Sequence, residues 1–342
     1  MVAPAGLFSN RYKVEDMPDL TGKVAVVTGG SRGIGEALVG DLVQKGCKVH
    51  ILSSTKQHAE ETIEHVSEHT PNARDLITFH QVDLGTLKDV ISLTSKLSSE
   101  LDRLDLLFLI AGIGVAPFGL TNDGIGNHFG VNHLSHMVIT DGLLDLMKKT
   151  SETKNKGSAG LDDELEKFST RIVSESSELH RAAPSDVKCE SLDEFNHERD
   201  ATVLYGRSKL LNILFIRHLA QSHLPSLTSS SPILAASVHP GGVATEQEKG
   251  AAQAYPILGN VLEAASKVLF MSREQGAESA LWAGVGQTFA KRREECQGRY
   301  FTEADGKVDS ESDQAKDDEL AKKLWELSER VLKEKIGYEM KH

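Results

Sequence analysis

Several absences narrow what this chain does. It has three cysteines in 342 residues, Cys47, Cys189 and Cys296. Their odd number, wide spacing and lack of metal-ligand spacing argue against a disulfide framework or a metal site and for a reducing compartment, read here as cytoplasmic. There is no excess of basic charge: the net charge is −12 and the pI about 5.6, which speaks against nucleic acid or an anionic membrane as partner and leaves a small molecule. The first twenty residues carry Arg11, Lys13, Glu15, Asp16 and Asp19 and hold no apolar stretch of signal or span length. The longest apolar stretch, LDLLFLIAGIGVAPFGL (104–120), starts amid charges and is broken by glycines and a proline, so it reads as a buried strand and its exit loop. No internal repeat or low-complexity tract occurs. What remains, 39% hydrophobic and 26% charged residues, is enough for a sizeable core.

Strand and helix patterns alternate along the chain. KVAVVT (23–28) is a β-branched run that feeds a glycine turn, and EALVGDLVQKG (36–46) has a helical apolar face closed by Gly46. Strands are expected at 47–52, 77–82, 106–110, 171–174 and 233–238, and helices at 59–69, 90–101, 128–146 and 205–221. This rhythm is the signature of a parallel sheet of at least six strands, covered on both faces. Two polar stretches, 148–169 and 181–200, interrupt it and read as surface insertions. Beyond residue 313, Leu320, Leu324, Leu327 and Val331 step by four, three and four with Trp325 beside them. That spacing describes either a packed terminal helix or one that forms a homodimer. The expected organisation is an N-terminal extension (1–19), one α/β domain (20–312), and a C-terminal helix and tail (313–342).

Two local patterns carry chemistry. In VTGGSRGIG (27–35), Gly29, Gly33 and Gly35 follow G-x-x-x-G-x-G between a strand and a helix. Such a turn lets backbone N–H groups approach a pyrophosphate at a helix N-terminus, where the helix dipole favours negative charge. Tyr205 and Lys209, four apart in VLYGRSKLLN, project from one helix face, so an ammonium can favour the ionised phenol. Bringing a phenol from ~10 to about 7 takes roughly 4 kcal/mol, which a buried lysine and a cationic nicotinamide ring can supply between them. Alone, Tyr and Lys at this spacing decorate solvated helices; the glycine turn upstream makes them an enzyme's pair.

In order, TGGSRGIG, VDL (82–84), IAG (110–112), FGVNHLSH (129–136), IVSESS (172–177), YGRSK (205–209), HPGGVAT (239–245) and the final AKDDELAKKLWELSERV make the chain resemble the short-chain dehydrogenase/reductase superfamily, and within it the retinol dehydrogenase and WW-domain oxidoreductase-like branch. The resemblance runs from residue 20 to residue 331. It implies a Rossmann-type doubly wound parallel sheet with helices on both faces and a tetrad of Asn132, Ser177, Tyr205 and Lys209. Tyr205 would exchange a proton with the substrate oxygen, Ser177 would fix that oxygen, Lys209 would hold the nicotinamide ribose, and Asn132 would hold a water linking Lys209 to solvent. It further implies cofactor contacts from Gly29, Ser31, Arg32, Gly33, Ile34 and Gly35 in the turn, and from Ser53, Ser54 and Lys56 beside it. Asp83, Leu84, Ala111, Gly112, Pro240, Gly241, Val243 and Thr245 complete the set, and no metal is implied.

Departures from the family pattern are informative. The family's NNAG is Leu109, Ile110, Ala111 and Gly112 here, so the asparagine hydrogen bonds that brace the sheet are expected to be missing. Glu175 stands where the family has an apolar residue, as a structural ion pair or as a further acid near the site. The chain between Ser177 and Tyr205 is longer than is usual. An acid about 20 residues beyond the turn would select NAD; here Ser53 and Ser54 stand there, with Arg32 and Lys56 to attract a 2′-phosphate, so NADP(H) is expected over NAD(H). The expected activity interconverts a carbonyl and a secondary or primary alcohol on a fairly apolar small molecule of polyketide, terpenoid, steroid or retinoid type. The segment 245–262 would act as a mobile lid, and Phe118, Tyr255, Ile257 and Leu258 would line the pocket. A non-catalytic dinucleotide-binding regulator or scaffold, and an epimerase or dehydratase, are the alternatives.

Overall fold

Strands with apolar residues at every position can persist only when both faces are covered, and helices on each side meet that demand here. The computed structural model describes residues 11–155, 170–227, 232–241 and 272–342. Seven parallel strands are ordered β3-β2-β1-β4-β5-β6-β7: β1 (Val24–Thr28), β2 (Lys48–Ser53), β3 (Ile77–Gln81), β4 (Leu106–Leu109), β5 (Arg171–Glu175), β6 (Leu234–Val238) and β7 (Arg299–Phe301). The expected six are all present. The three-residue β7 is too short to show a period, and only its pairing with β6 reveals it.

The chain runs outward from β1 to β3, then returns to β4 on the other side of β1. Thr28 therefore faces Leu52 on one flank and Leu109 on the other, and a crevice opens beyond these carboxyl ends where the strand order reverses. Alternation along β1 sorts the core: Val24 and Val26 join one cluster and Ala25 and Val27 the other. The first cluster packs α3 (Leu87–Glu100), α4 (Ser135–Asn155), α5 (Ala201–Ser222) and α7 (Asp318–Ile336). The second packs α1 (Gly33–Gln44), α2 (Lys56–His69) and α6 (Arg273–Val285).

The long helix expected at 128–146 is divided and shifted. A short turn (Asn127–Phe129) and a π turn (Gly130–Leu134) precede α4, which continues to Asn155. Residues 148–155, expected to begin a polar loop, are thus helical, and the rest of that insertion lies outside the described residues. The terminal stripe is settled by packing within the chain: Leu320, Leu324, Trp325, Leu327 and Val331 are buried. Trp325 stacks on Phe215 of α5 and on His223. The segment beyond α7 ties back to α4 through Asp141, which accepts from Tyr338 Oη (2.6 Å) and from the main-chain N–H groups of Lys341 and His342 (3.0 Å each).

Candidate active site

The turn after β1 is shaped so that only glycine fits at its two tightest points. Gly29 has φ +69° and lies against Ala111; a Cβ on Gly35 would stand 2.2 Å from the carbonyl oxygen of Gly29. With side chains excluded, the N-terminus of α1 opens onto the crevice, a cradle that fits a dinucleotide pyrophosphate. Gly33 and Ile34 begin α1. Ser31, buried, shares a 2.6 Å hydrogen bond with Ser53 at the end of β2, and its carbonyl accepts from Thr62 Oγ1 at 3.0 Å. Arg32 is exposed at the mouth of the turn and its guanidinium meets His58 Nε2. Ser54 is exposed, and Lys56 pairs with Glu60 at 3.4 Å. Asp83 follows β3, exposed, and accepts from Gly85 N at 2.8 Å, with Leu84 buried beside it. Ala111 and Gly112 follow β4, and Pro240 and Gly241 follow β6. All of these stand at the carboxyl edge of the sheet. Val243, Thr245, Tyr255, Ile257, Leu258 and the expected lid lie outside the described residues.

At the neighbouring strand ends the sheet delivers Ser177 and α5 delivers Tyr205 and Lys209. Asp200 caps α5, accepting from Thr202 N at 2.9 Å. Tyr205 is 8% exposed, with the Ser177 side chain close by. Ser177 Oγ accepts from Leu179 N at 3.2 Å. Lys209 is fully buried, its Nζ 5.5 Å from the Tyr205 ring centroid. That ammonium donates to the carbonyl of Glu175 (3.2 Å) and to its Oε1 (3.4 Å). Glu175 is thus both things considered for it, an ion pair and an acid at the site. Burial pushes its carboxyl up and Lys209 opposes the shift. Burial pulls the Lys209 ammonium down, but Tyr205 and Glu175 together outweigh it and leave Lys209 raised.

The balance at Tyr205 differs from the expectation of a phenol drawn toward neutrality. Burial pushes the phenol up, and Glu175 pushes the same way, against Lys209 and Ser177; the net direction is upward. Lys209 alone, without the nicotinamide ring that the expectation counted beside it, does not offset the cost of burying a phenolate next to the facing carboxylate.

Asn132, fully buried in the π turn, holds the loop after β4. Its Oδ1 accepts from Ile113 N (2.7 Å), and its Nδ2 donates to Ile113 O and to Ser208 Oγ (2.9 Å each). The missing asparagine braces are replaced as well. Thr28 Oγ1 accepts from Ile110 N (2.9 Å) and Ala111 N (3.1 Å) and pairs with His136 Nε2 at 3.1 Å, so a hydroxyl on β1 does the work from the adjacent strand. Neither Thr28 nor His136 has a local pattern that announces this role. Phe118 lies with His128, Phe195 and Arg207 around a small cleft beside α5.

The chain as a whole is similar to known proteins. The family model for short chain dehydrogenases matches residues 23–158. The Neurospora crassa oxidoreductase bli-4, named as mitochondrial, is 31% identical over 95% of this chain and 75% of its own length. The chain belongs to the short-chain dehydrogenase/reductase superfamily. Retinol dehydrogenase 12 of Mus musculus is 28% identical, with 92% of this chain and 87% of the relative covered. A short chain dehydrogenase from Shigella flexneri, solved in complex with NADP, superposes with a TM-score of 0.56 at 19% identity, covering 84% of this chain and 98% of the other. As a member of this superfamily the protein is an oxidoreductase that works with a nicotinamide dinucleotide. Among the described residues no group of side chains suits a metal ion, and no helix is long and apolar enough to cross a membrane.

Proposed function

We propose that the protein interconverts a carbonyl and an alcohol on a fairly apolar small molecule, with NADP(H) preferred over NAD(H). The observation that carries this reading is the convergence of Tyr205, Ser177 and Lys209 beside the cradle of Gly29 and Gly35. The nicotinamide ring, when bound, supplies the hydride in reduction and accepts it in oxidation. In reduction Tyr205 gives its phenolic proton to the carbonyl oxygen, and in oxidation it takes the alcohol proton. Ser177 holds the same oxygen. Lys209 anchors the ribose hydroxyls and steadies the charge that arises on Tyr205. Asn132 keeps the loop after β4 in place. The buried setting of all four strengthens each polar contact.

Preference for NADP(H) rests on Ser53 and Ser54, which set no carboxylate against a 2′-phosphate, and on Arg32 at the mouth of the turn. Lys56 is the weaker contributor because Glu60 shares its charge. The apolar substrate class follows the likeness to the retinol dehydrogenase branch, and the segment 245–262 is proposed as its lid. A reducing compartment agrees with three free, buried cysteines. Imaging a fluorescent fusion decides between the cytoplasm and the mitochondrion of the Neurospora relative. The function itself is tested by screening ketones and alcohols for a change in NADPH absorbance with wild type and Tyr205→Phe. Turnover is expected in the first and lost in the second, while NADPH binding survives. Retention of more than about a tenth of the activity by Tyr205→Phe removes the phenol from its role.

A further inference from the structure

One buried charge beside the tetrad has no part in the mechanism above. Glu175 ends β5 with its side chain 6% exposed, and its Oε1 lies 3.4 Å from the Lys209 ammonium. Its carbonyl is fixed separately, accepting from Lys209 Nζ at 3.2 Å and Asn212 Nδ2 at 2.9 Å. The main chain would therefore hold Lys209 and Asn212 whatever side chain stood here. The carboxylate is an addition whose effect is electrostatic.

We propose that Glu175 is a positioning residue that sets the protonation of Tyr205, its carboxylate sharing the Lys209 ammonium with the phenol and so resisting formation of the phenolate. The inference rests on the proton-exchanging role proposed for Tyr205. The other groups named around the trio are neutral or already ion-paired. From α4, His136 is buried and neutral, held down to about 3, and after β6 His239 is held down to about 4, in both cases first by burial. From β7, Tyr300 stays protonated and donates to Glu178 at 3.0 Å, while Glu178 is paired with Arg181 at 3.1 Å. One cation and one carboxylate are left facing the phenol. With Tyr205 protonated the trio of Tyr205, Lys209 and Glu175 is neutral; with Tyr205 ionised it carries a net negative charge in a dry site.

The consequence is a pH window. In reduction the Tyr205 O–H bond breaks, the proton passes to the carbonyl oxygen as hydride reaches the carbonyl carbon, and the phenolate regains a proton from solvent. That step needs the phenol, and the reverse needs the phenolate. Glu175 therefore extends the plateau of reduction to higher pH and moves the rising limb of oxidation the same way. The overall equilibrium is untouched, since the ratio of forward to reverse kcat/KM at any pH is fixed by the reaction itself.

The test titrates Tyr205 directly. Protein labelled with 13Cζ-tyrosine is followed by NMR against pH without cofactor, with Tyr205→Phe assigning the signal among five tyrosines. Glu175→Gln keeps the shape, and Glu175→Val gives the apolar residue usual in the family. Both are expected to lower the Tyr205 midpoint by about one pH unit, and the rising limb of oxidation by a similar amount. An unmoved midpoint in Glu175→Gln overturns the proposal, whether or not Glu175→Val shifts, because a change in Val alone is packing rather than charge. If Tyr205→Phe keeps its turnover, the role of Tyr205 itself fails, a result that the titration does not depend on.

Discussion

Acid is expected to weaken this protein through histidines that the fold keeps neutral. His133, His136 and His239 are all buried. Burial holds the first two down to about 3 and the third to about 4. His133 shows why protonation is resisted: Nε2 is paired with Ser328 Oγ at 2.8 Å, and Nδ1 has no partner. A proton there would add both a charge and an unpaired donor to the core. An unfolded histidine titrates near ~6.5, so between about pH 6.5 and 4 the unfolded chain binds protons that the folded chain refuses. Stability is complete above that window and falls as pH falls through it. At pH 5 each histidine costs about 2 kcal/mol and the three about 6, against a total of ~5–15 kcal/mol for ordinary domains. Asp41 acts in the opposite sense. Burial holds its carboxyl up at about 6, so the folded form takes that proton first and recovers about 1 kcal/mol at pH 5. Urea unfolding followed by the fluorescence of buried Trp282 and Trp325 should therefore give a free energy several kcal/mol lower at about pH 5 than at about pH 7.5. His133→Gln should show a shallower slope. Equal stability at the two pH values in the wild type would refute the argument.

Three further outcomes follow from the site. Lys209→Ala should lose turnover and also bind NADPH at least about tenfold more weakly, measured by calorimetry, because one side chain serves both the ribose and the phenol; normal NADPH affinity would contradict the ribose contact. Ser53→Asp should sharply lower kcat/KM with NADPH and raise it with NADH, while Arg32→Ala should weaken NADPH alone. Charge-assisted contacts worth about 1.5–3 kcal/mol each imply a preference on the order of a hundredfold, and a wild type that favours NADH would end the 2′-phosphate argument. Gly35→Ala forces a methyl group against the backbone of Gly29 and Gly30, so a loss of about 1–3 kcal/mol in thermal unfolding and of dinucleotide binding is expected; unchanged binding would show that the turn is not the cradle.

Much of the fold is legible because its signals are local. The β-branched run at 24–28 is bounded by glycines, and the period of the helices on either side is strong, so strand, turn and helix can be named from neighbours alone. Where the reading slipped, the cause is a contact between distant residues. The π turn at Gly130–Leu134 looks like ordinary helix in sequence. Strand β7 exists only through its pairing with β6. Thr28 braces Ile110 and Ala111 from 82 and 83 positions away, which no spacing rule could anticipate. The tetrad residues are recognisable as words in a known order, but the state of Tyr205 depends on burial and on Glu175, and both are properties of the folded core.

The terminal helix has a consequence for how the protein is made. Tyr205 and Lys209 sit on α5, whose rear is sealed by a segment more than a hundred residues later in the chain: Arg217 reaches Asp318 across 101 positions, and His133 reaches Ser328 across 195. During synthesis α5 leaves the ribosome with Phe215 and its neighbours uncovered, and it stays so until α7 and the residues that grip Asp141 have followed. Closure over such separations is slow relative to local helix formation. A nascent chain halted before residue 318 is therefore expected to present this apolar face to chaperones.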